Sequence, residues 1–144
     1  MYYEELEIGQ KFQGISVTVT EAHVVLFGSL IGDKHPVHTN EEWAKTTRYG
    51  RRIAQGMLTA SFMVPGMNHT IVGEQMVLNL GEAFTFREPV FFGDTITTDI
   101  EIIEKEPKKN WGLVRVKNIA KKQTGEVVAE GIATLGMPYK SSNT

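Results

Sequence analysis

Residues 55–67 read Gln55-Gly56-Met57-Leu58-Thr59-Ala60-Ser61-Phe62-Met63-Val64-Pro65-Gly66-Met67. The side chains of this stretch are apolar or small nearly all round a helical turn, and none of them is Asp or Glu. A helix of this kind needs cover on more than one side. The sequence therefore predicts a long, mostly buried helix here, which Pro65 is expected to kink or end.

Four strand patterns follow this helix, at about residues 76–90, 94–105, 111–121 and 126–137. They are rich in β-branched and aromatic residues, and they alternate in places between apolar and polar positions. Gly93-Asp94 and Thr124-Gly125 predict turns between strands. One buried helix followed by long antiparallel strands indicates a sheet wrapped around that helix, so we predict an α+β domain.

The first half of the chain carries a strand and a helix before the buried segment. Residues 11–19 end in an alternating pattern that predicts a short strand. Thr20 is a suitable N-cap for the helix that follows. Gly32 can end that helix as a left-handed residue. The sequence therefore places a helix terminus directly before Asp33.

The segment after Gly32 concentrates functional groups. Asp33, His35 and His38 fall within six residues. Pro36 stiffens this segment and disfavours helical geometry at the residue before it, so we predict a loop over residues 33–38. A short, stiff loop can aim a carboxylate and an imidazole at one water molecule, as acid/base catalysis requires. The residues alone also fit an aspartate in a turn and a capping or solvated histidine.

Length and composition exclude several classes of protein. The chain of 144 residues fits one domain, predicted over residues 1–140, with a polar tail at 141–144. A net charge of −2 opposes nucleic-acid binding through a basic face. There is no cysteine for disulfides or thiolate metal sites, and no apolar run of the roughly 18 residues that a membrane span needs. We expect a soluble, cytoplasmic protein.

Three blocks of sequence stand in the order found in one known family. They are Gly32-Asp33-Lys34-His35-Pro36-Val37-His38, Arg52-Ile53-Ala54-Gln55-Gly56-Met57-Leu58 and Pro89-Val90-Phe91-Phe92-Gly93-Asp94-Thr95-Ile96. They resemble the G-D-x-N-P-x-H, R-I-A-H-G-M-L and P-V-x-x-G-D-T-L segments of the MaoC-like dehydratases and (R)-specific enoyl-CoA hydratases. The resemblance covers roughly residues 15 to 137. It implies a hot-dog fold, in which a curved antiparallel sheet wraps a long central helix.

The resemblance also implies a reaction and its residues. Asp33 and His38 correspond to the family's catalytic acid/base pair. The backbone N–H of Gly56 corresponds to the group that polarises the thioester carbonyl. The implied reaction is the reversible syn addition of water to a trans-2-enoyl thioester, without a metal or a cofactor. The substrate is then an acyl-CoA or an acyl carrier protein thioester.

The supporting residues depart from the family pattern at two positions. His35 stands where the family usually has Asn, and Gln55 where it usually has His. Together with Pro36, these residues are expected to support the catalytic loop. A serine that the family often carries eight residues after the helix-start glycine is Val64 here.

The resemblance further implies a homodimer, or a higher homo-oligomer, with acyl-CoA sites at the interface. The candidates for contact with the CoA phosphates are basic residues, namely Arg48, Arg51, Arg52 and the Lys108-Lys109 turn.

Three other functions stay open at this stage. The spacing of Asp33, His35 and His38 admits a metal site of two histidines and a carboxylate. A hot-dog thioesterase is the nearest enzymatic alternative, although many of those enzymes carry a carboxylate on the central helix and residues 55–67 have none. The third alternative is a degenerate domain that binds acyl-CoA without turning it over.

Overall fold

The computed structural model describes residues 1–142 and contains one five-stranded antiparallel sheet. The strands are β1 (Lys11–Thr18), β2 (Leu78–Phe86), β3 (Thr95–Pro107), β4 (Gly112–Lys121) and β5 (Val127–Met137). Their spatial order is β1-β3-β4-β5-β2, and each neighbouring pair runs antiparallel. All five predicted strands are confirmed, although the second ends at Phe86, before Arg87-Glu88-Pro89, rather than at about residue 90.

The helices are α1 (Glu21–Ile31), α2 (Pro36–Thr39), α3 (Glu41–Ala44) and α4 (Gly56–Met67). Both predicted ends of α1 are confirmed. Thr20 caps its start by accepting a hydrogen bond from the backbone N–H of His23. Gly32 ends it with a φ of +79°, a left-handed conformation that glycine adopts without steric cost.

Helix α4 packs on the inner face of the sheet. Its buried side chains Leu58, Met63 and Met67 join two clusters of core residues. The sheet contributes a row of buried residues to the same clusters, namely Ile96, Ile100, Ile102, Val114, Val116, Ala120, Ala129, Ala133 and Leu135. The predicted α+β, hot-dog arrangement of a sheet wrapped around one helix is therefore confirmed.

Helix α4 is mostly buried, as predicted, and Pro65 does not end it. The helix neither ends nor breaks at Pro65 but continues to Met67 and then into a π-helical turn, Asn68–Val72. Pro65 removes one backbone donor only, and the carbonyls of the last turn still find donors: Asn68 N–H bonds to Val64 and Pro65, and the Thr70 hydroxyl donates to Gly66. The helix is also open along one side, where Met57 is 52% exposed.

The prediction of a loop over residues 33–38 is wrong in its second half. Pro36 opens the one-turn helix α2, and His38 lies within that turn. Proline suits the first position of a helix because its missing N–H would be unpaired there in any case. As expected, the residue before proline is not helical, and His35 instead caps α2 by accepting a hydrogen bond from Val37 N–H.

Residues Lys140–Ser142 form a 3-10 turn, whereas Asn143 and Thr144 of the predicted polar tail lie outside the described residues. Across residues 1–142, none of the helices combines the length and the apolar character that crossing a membrane would take.

Candidate active site

Asp33 and His38 come together at the end of α1. Asp33 follows the left-handed Gly32, and its Oδ1 accepts a hydrogen bond of 3.2 Å from His35 N–H. Its Oδ2 lies 3.6 Å from Nε2 of His38. The Asp33 side chain is 36% exposed and the His38 side chain 11%. The carboxylate is therefore open to a cleft, while the imidazole is held inside the protein.

The surroundings of His38 fix which ring nitrogen carries the proton. Nδ1 lies 2.7 Å from the carbonyl oxygen of Ile53, which can only accept a hydrogen bond. Nδ1 therefore donates, and in the neutral ring Nε2 presents a lone pair toward Asp33. A separation of 3.6 Å is too long for a direct hydrogen bond. The two acceptors are instead spaced to share one donor, such as a water about 2.8 Å from each.

The segment that anchors His38 also joins the three sequence blocks. Ile53 N–H donates to the carbonyl of Val37 at 3.1 Å, and Ala54 N–H donates to the carbonyl of Val90 at 2.8 Å. Ile53 also forms an isolated β-bridge with Phe91. The Asp33–His38 segment, the start of α4 and the turn before β3 are thus tied to one another by backbone hydrogen bonds.

Gly56 begins α4 beside a cavity of about 600 Å³. Its N–H has no hydrogen-bond partner among residues 1–142, as is usual for the first donors of a helix. A Cβ at this position would lie 3.3 Å from the ring of Phe86, so glycine keeps the backbone accessible. Ile53 lines the same cavity, whereas Asp33 lines a separate cleft of about 220 Å³. Ile53 links the two, because its carbonyl also holds His38.

The three predicted supporting residues have different roles in the structure. His35 and Pro36 shape the start of α2. Gln55 is 2% exposed, and its Nε2 donates to the carbonyl of Val24 in α1 at 2.9 Å. Gln55 therefore ties the start of α4 to α1, and its Oε1 is buried without a partner among the described residues.

The basic residues predicted to contact the CoA phosphates have different surroundings in the structure. Arg52 is ion-paired with both Glu21 and Glu41. Arg48 lines the large cavity, and the guanidinium of Arg51 lies 3.7 Å from the ring centroid of Phe91. The Lys108-Lys109 turn connects β3 to β4 at the end of the sheet opposite the cavity, where Pro107 pairs with Gly112. This turn is therefore remote from Gly56.

Two polar residues have surroundings that the sequence did not predict. Asp94 is buried and accepts hydrogen bonds from Phe91 N–H, Gln123 Nε2 and Lys122 Nζ. Burial acts to raise the pKa of Asp94, but these donors outweigh it and lower the pKa below its ordinary value. Thr59 lines the large cavity one turn after Gly56. The spacing of three residues along a helix is the only signal in the sequence that could have indicated this neighbourhood.

The three groups of the metal hypothesis do not converge. His35 turns its Nδ1 back toward Val37 N–H, and its ring centroid lies 6.2 Å from that of His38. Over residues 1–142, no three His, Asp or Glu side chains form a group that could hold a metal ion.

Comparison with known proteins identifies the family. Residues 4–124 match the family described as "MaoC like domain". The chain belongs to the MaoC-like family. This MaoC-like chain is 32% identical to an (R)-specific enoyl-CoA hydratase of Rhodospirillum rubrum over 139 residues, 96% of the chain and 93% of that relative. It is 30% identical to a 3-hydroxybutyryl-CoA dehydratase of Methylorubrum extorquens over 141 residues, 97% and 86% of the two chains.

A solved structure agrees with the family assignment. The R-hydratase PhaJ1 from Pseudomonas aeruginosa matches this MaoC-like chain with a TM-score of 0.86 and 32% identity, over 96% of the chain and 86% of PhaJ1. The family that the three sequence blocks predicted is thereby confirmed.

Proposed function

We propose that this chain is an (R)-specific enoyl-CoA hydratase, which adds water reversibly and with syn geometry to a trans-2-enoyl thioester. In the reverse direction it dehydrates the 3-hydroxyacyl thioester. The proposal depends on one observation above all: Nε2 of His38 faces Oδ2 of Asp33 at 3.6 Å, while Nδ1 is committed to the Ile53 carbonyl. The activities that the names of the two relatives state are of this same class.

The Asp33–His38 pair acts on one water molecule. The water donates its two hydrogens to the carboxylate and to Nε2, which leaves an oxygen lone pair directed at the substrate. As the oxygen bonds to C3, the C2–C3 π electrons move toward C2 and the thioester oxygen, and the water gives a proton to the pair. The pair then returns one proton to C2 on the same face. General acid–base catalysis of this kind contributes about 10²–10⁴-fold in rate.

Gly56 provides a donor for the charge that develops on the thioester oxygen. Its unpaired N–H stands at the positive end of α4, which has no acidic residue in its first turn. The absence of a side chain lets the thioester approach the backbone beside Phe86. One such preorganised donor is typically worth about 10²–10³-fold in rate.

We infer that the working enzyme is a homodimer joined through β2 and the open side of α4. Strand β2 is an edge of the sheet, with backbone groups that no strand pairs within the described chain. Several large apolar side chains are exposed on this side, namely Met57, Met76, Leu78, Leu80 and Phe86. Pairing two such edges would cover both the backbone and the apolar surface. Light scattering should then give twice the chain mass of 16.1 kDa.

The carrier of the acyl group and the compartment are also part of the proposal. We expect a CoA thioester, with an acyl carrier protein thioester as the alternative to be tested beside it. We expect the enzyme to work in the cytoplasm, because a chain without cysteine has no need of an oxidising compartment.

The test follows crotonyl-CoA through loss of its enoyl absorbance, and identifies the enantiomer of the product. The wild type should form (R)-3-hydroxybutyryl-CoA, and Asp33→Asn and His38→Ala should each lose several orders of magnitude in kcat/KM. The matched controls are Asp99→Asn, on the outer face of β3, and His69→Ala, an exposed residue after α4. Both should hydrate as the wild type does.

Other outcomes would contradict the proposal. Release of free CoA thiol without loss of the enoyl group would identify a thioesterase. Binding of crotonyl-CoA without any turnover would identify a degenerate binding domain. Equal rates in the wild type and both site variants would remove the assigned roles of Asp33 and His38.

A further inference from the structure

Thr59 is a buried residue whose hydroxyl group has no partner. The residue is only 2% exposed, and its hydroxyl makes no hydrogen bond with any residue from 1 to 142. Threonine and serine in helices often donate to the carbonyl four residues back. Two neighbours do so: Ser61 donates to Met57 and Thr70 donates to Gly66, both at 2.7 Å. The hydroxyl of Thr59 is therefore available to a ligand.

Thr59 lies beside a cavity large enough to hold a ligand. Thr59 lines the same cavity of about 600 Å³ as Gly56. Much of the wall is apolar, formed by Ile53, Ala54, Phe86, Val90 and Val128, and it also carries Arg48, Tyr49, Arg87 and Glu88. The Thr59 hydroxyl is not among the fully enclosed unpaired groups of residues 1–142, so it is open to the cavity, where a ligand acceptor can bind it.

Helix geometry places this hydroxyl on the side of the Gly56 N–H. Each Cα–Cβ bond of a helix tilts toward the N-terminus, so a side chain covers the turn that precedes its own Cα. The turn before Thr59 is the first turn of α4, which begins at Gly56. The Thr59 side chain and the unpaired Gly56 N–H therefore lie on the same side of this turn, beside one cavity.

We propose that the Thr59 hydroxyl is a second hydrogen-bond donor to the thioester carbonyl oxygen, acting beside the N–H of Gly56. This inference rests on the proposed hydratase function and adds a residue to it. When the water oxygen bonds to C3, negative charge accumulates on the thioester oxygen, and two donors stabilise it more than one. The hydroxyl keeps its proton throughout, so the proton transfers remain with Asp33 and His38.

The first experiment compares Thr59→Val, which replaces the hydroxyl by a methyl of similar size, with Thr59→Ser, which keeps it. We expect Thr59→Val to lower kcat for crotonyl-CoA by about 10²-fold, the effect of one lost oxyanion donor, with little change in KM. Thr59→Ser should restore most of the rate. Ser61→Ala is the matched control, because that hydroxyl already donates to Met57, and it should hydrate as the wild type does.

The second experiment measures the polarisation of the carbonyl without turnover. Crotonyl-CoA labelled at the thioester carbonyl is bound to Asp33→Asn and to Asp33→Asn/Thr59→Val, and its infrared stretching frequency is compared. The double variant should give the higher frequency, because one donor is missing. A purely structural role for Thr59 would leave this frequency unchanged.

The outcomes separate this inference from the proposed function. A wild-type rate in Thr59→Val, or an equal carbonyl frequency in the two bound variants, would overturn the role of Thr59. An inactive wild type would instead contradict the hydratase function, while the infrared comparison would still decide whether Thr59 contacts the carbonyl.

Discussion

Two Gly-Asp pairs in this chain have the same local geometry and different surroundings. Gly32 and Gly93 both have positive φ values, +79° and +95°, and each is followed directly by an aspartate. Asp94 accepts hydrogen bonds from a backbone N–H, an amide and an ammonium group. Asp33 accepts one backbone hydrogen bond, and its other oxygen faces the lone pair of His38.

A Gly-Asp dipeptide therefore does not determine the role of its carboxylate. A carboxylate offers about four acceptor positions. The protein fills those of Asp94 with its own donors, and that residue holds the turn before β3. Asp33 retains acceptor capacity toward a cleft, so a water molecule can bind there. The number of hydrogen-bond donors around each carboxylate, rather than the Gly-Asp motif, distinguishes the catalytic candidate Asp33 from the structural residue Asp94.

The largest expected effect is on the activity of Asp33→Asn. Because the amide cannot accept a proton from water, kcat/KM for crotonyl-CoA should fall by about 10²–10⁴-fold. The free energy of unfolding should change by less than about 0.5 kcal/mol, since the side chain is partly exposed and the amide oxygen can still accept from His35 N–H. Urea unfolding and kinetics on the same preparation check both. A large loss of stability would make Asp33 a structural residue like Asp94.

Asp94→Asn should show the opposite behaviour. Replacing the buried carboxylate weakens hydrogen bonds from Phe91, Gln123 and Lys122, and should cost about 1–3 kcal/mol of unfolding free energy at neutral pH. The folded protein lowers the pKa of Asp94, so the stabilisation is complete above the ordinary aspartate value of about 3.9. It disappears as the pH falls through the lower pKa of the folded state. Urea unfolding at neutral and acidic pH should show this convergence with the wild type.

The sequence predicts best where the signal is local. Thr20 and Gly32 bound α1 because a capping hydroxyl and a left-handed glycine act on their own helix ends. The strands follow from alternation along each segment. The three family blocks led to Asp33 and His38 without any knowledge of their separation, and the structure brings their side chains to 3.6 Å.

The sequence predicts least where the structure depends on a contact with a residue far away in the chain. The carbonyl of Ile53 determines that Nδ1 of His38 carries the proton. The carbonyl of Val24 accepts the hydrogen bond that fixes the amide of Gln55. Both partners are brought in by the packing of other elements. The continuation of α4 past Pro65 likewise depends on donors further along the chain. No pattern in the neighbouring sequence predicts these contacts.

Alanine substitutions at Gly32 and Gly93 test whether the two turns contribute equally to stability and differ only in their effect on activity. A Cβ at Gly32 or at Gly93 would meet no atom within 4 Å, so alanine costs only the strain of a positive φ, about 1–2 kcal/mol. We expect similar losses of unfolding free energy in Gly32→Ala and Gly93→Ala. Only Gly32→Ala should reduce kcat, because it shifts Asp33. Gly50→Ala, at another positive φ, is the control. Equal losses of kcat in Gly32→Ala and Gly93→Ala would show that the turn before Asp33 has no special role in catalysis.

A third carboxylate gives the smallest expected effect. Glu82 lies on β2 opposite Ala133, on the inner side of the sheet, and the donor for its carboxylate within residues 1–142 is the amide of Asn79. Burial raises the pKa of Glu82, and the Asn79 hydrogen bond only partly opposes it. Unlike Asp94, this half-buried carboxylate has too few donors to offset its partial burial. Its ionised form opposes folding.

The sign of the pH dependence follows from that raised pKa. The folded state binds the proton of Glu82 more tightly than the unfolded state, so the protein loses stability as the pH rises through the raised pKa. Glu82→Gln removes this loss. The variant should melt at a higher temperature than the wild type at neutral pH, and at the same temperature below the ordinary glutamate value of about 4.3. Glu101→Gln, on the outer face of β3, is the control. A lower melting temperature for Glu82→Gln at neutral pH would show that the ionised carboxylate has donors that only the assembled protein supplies.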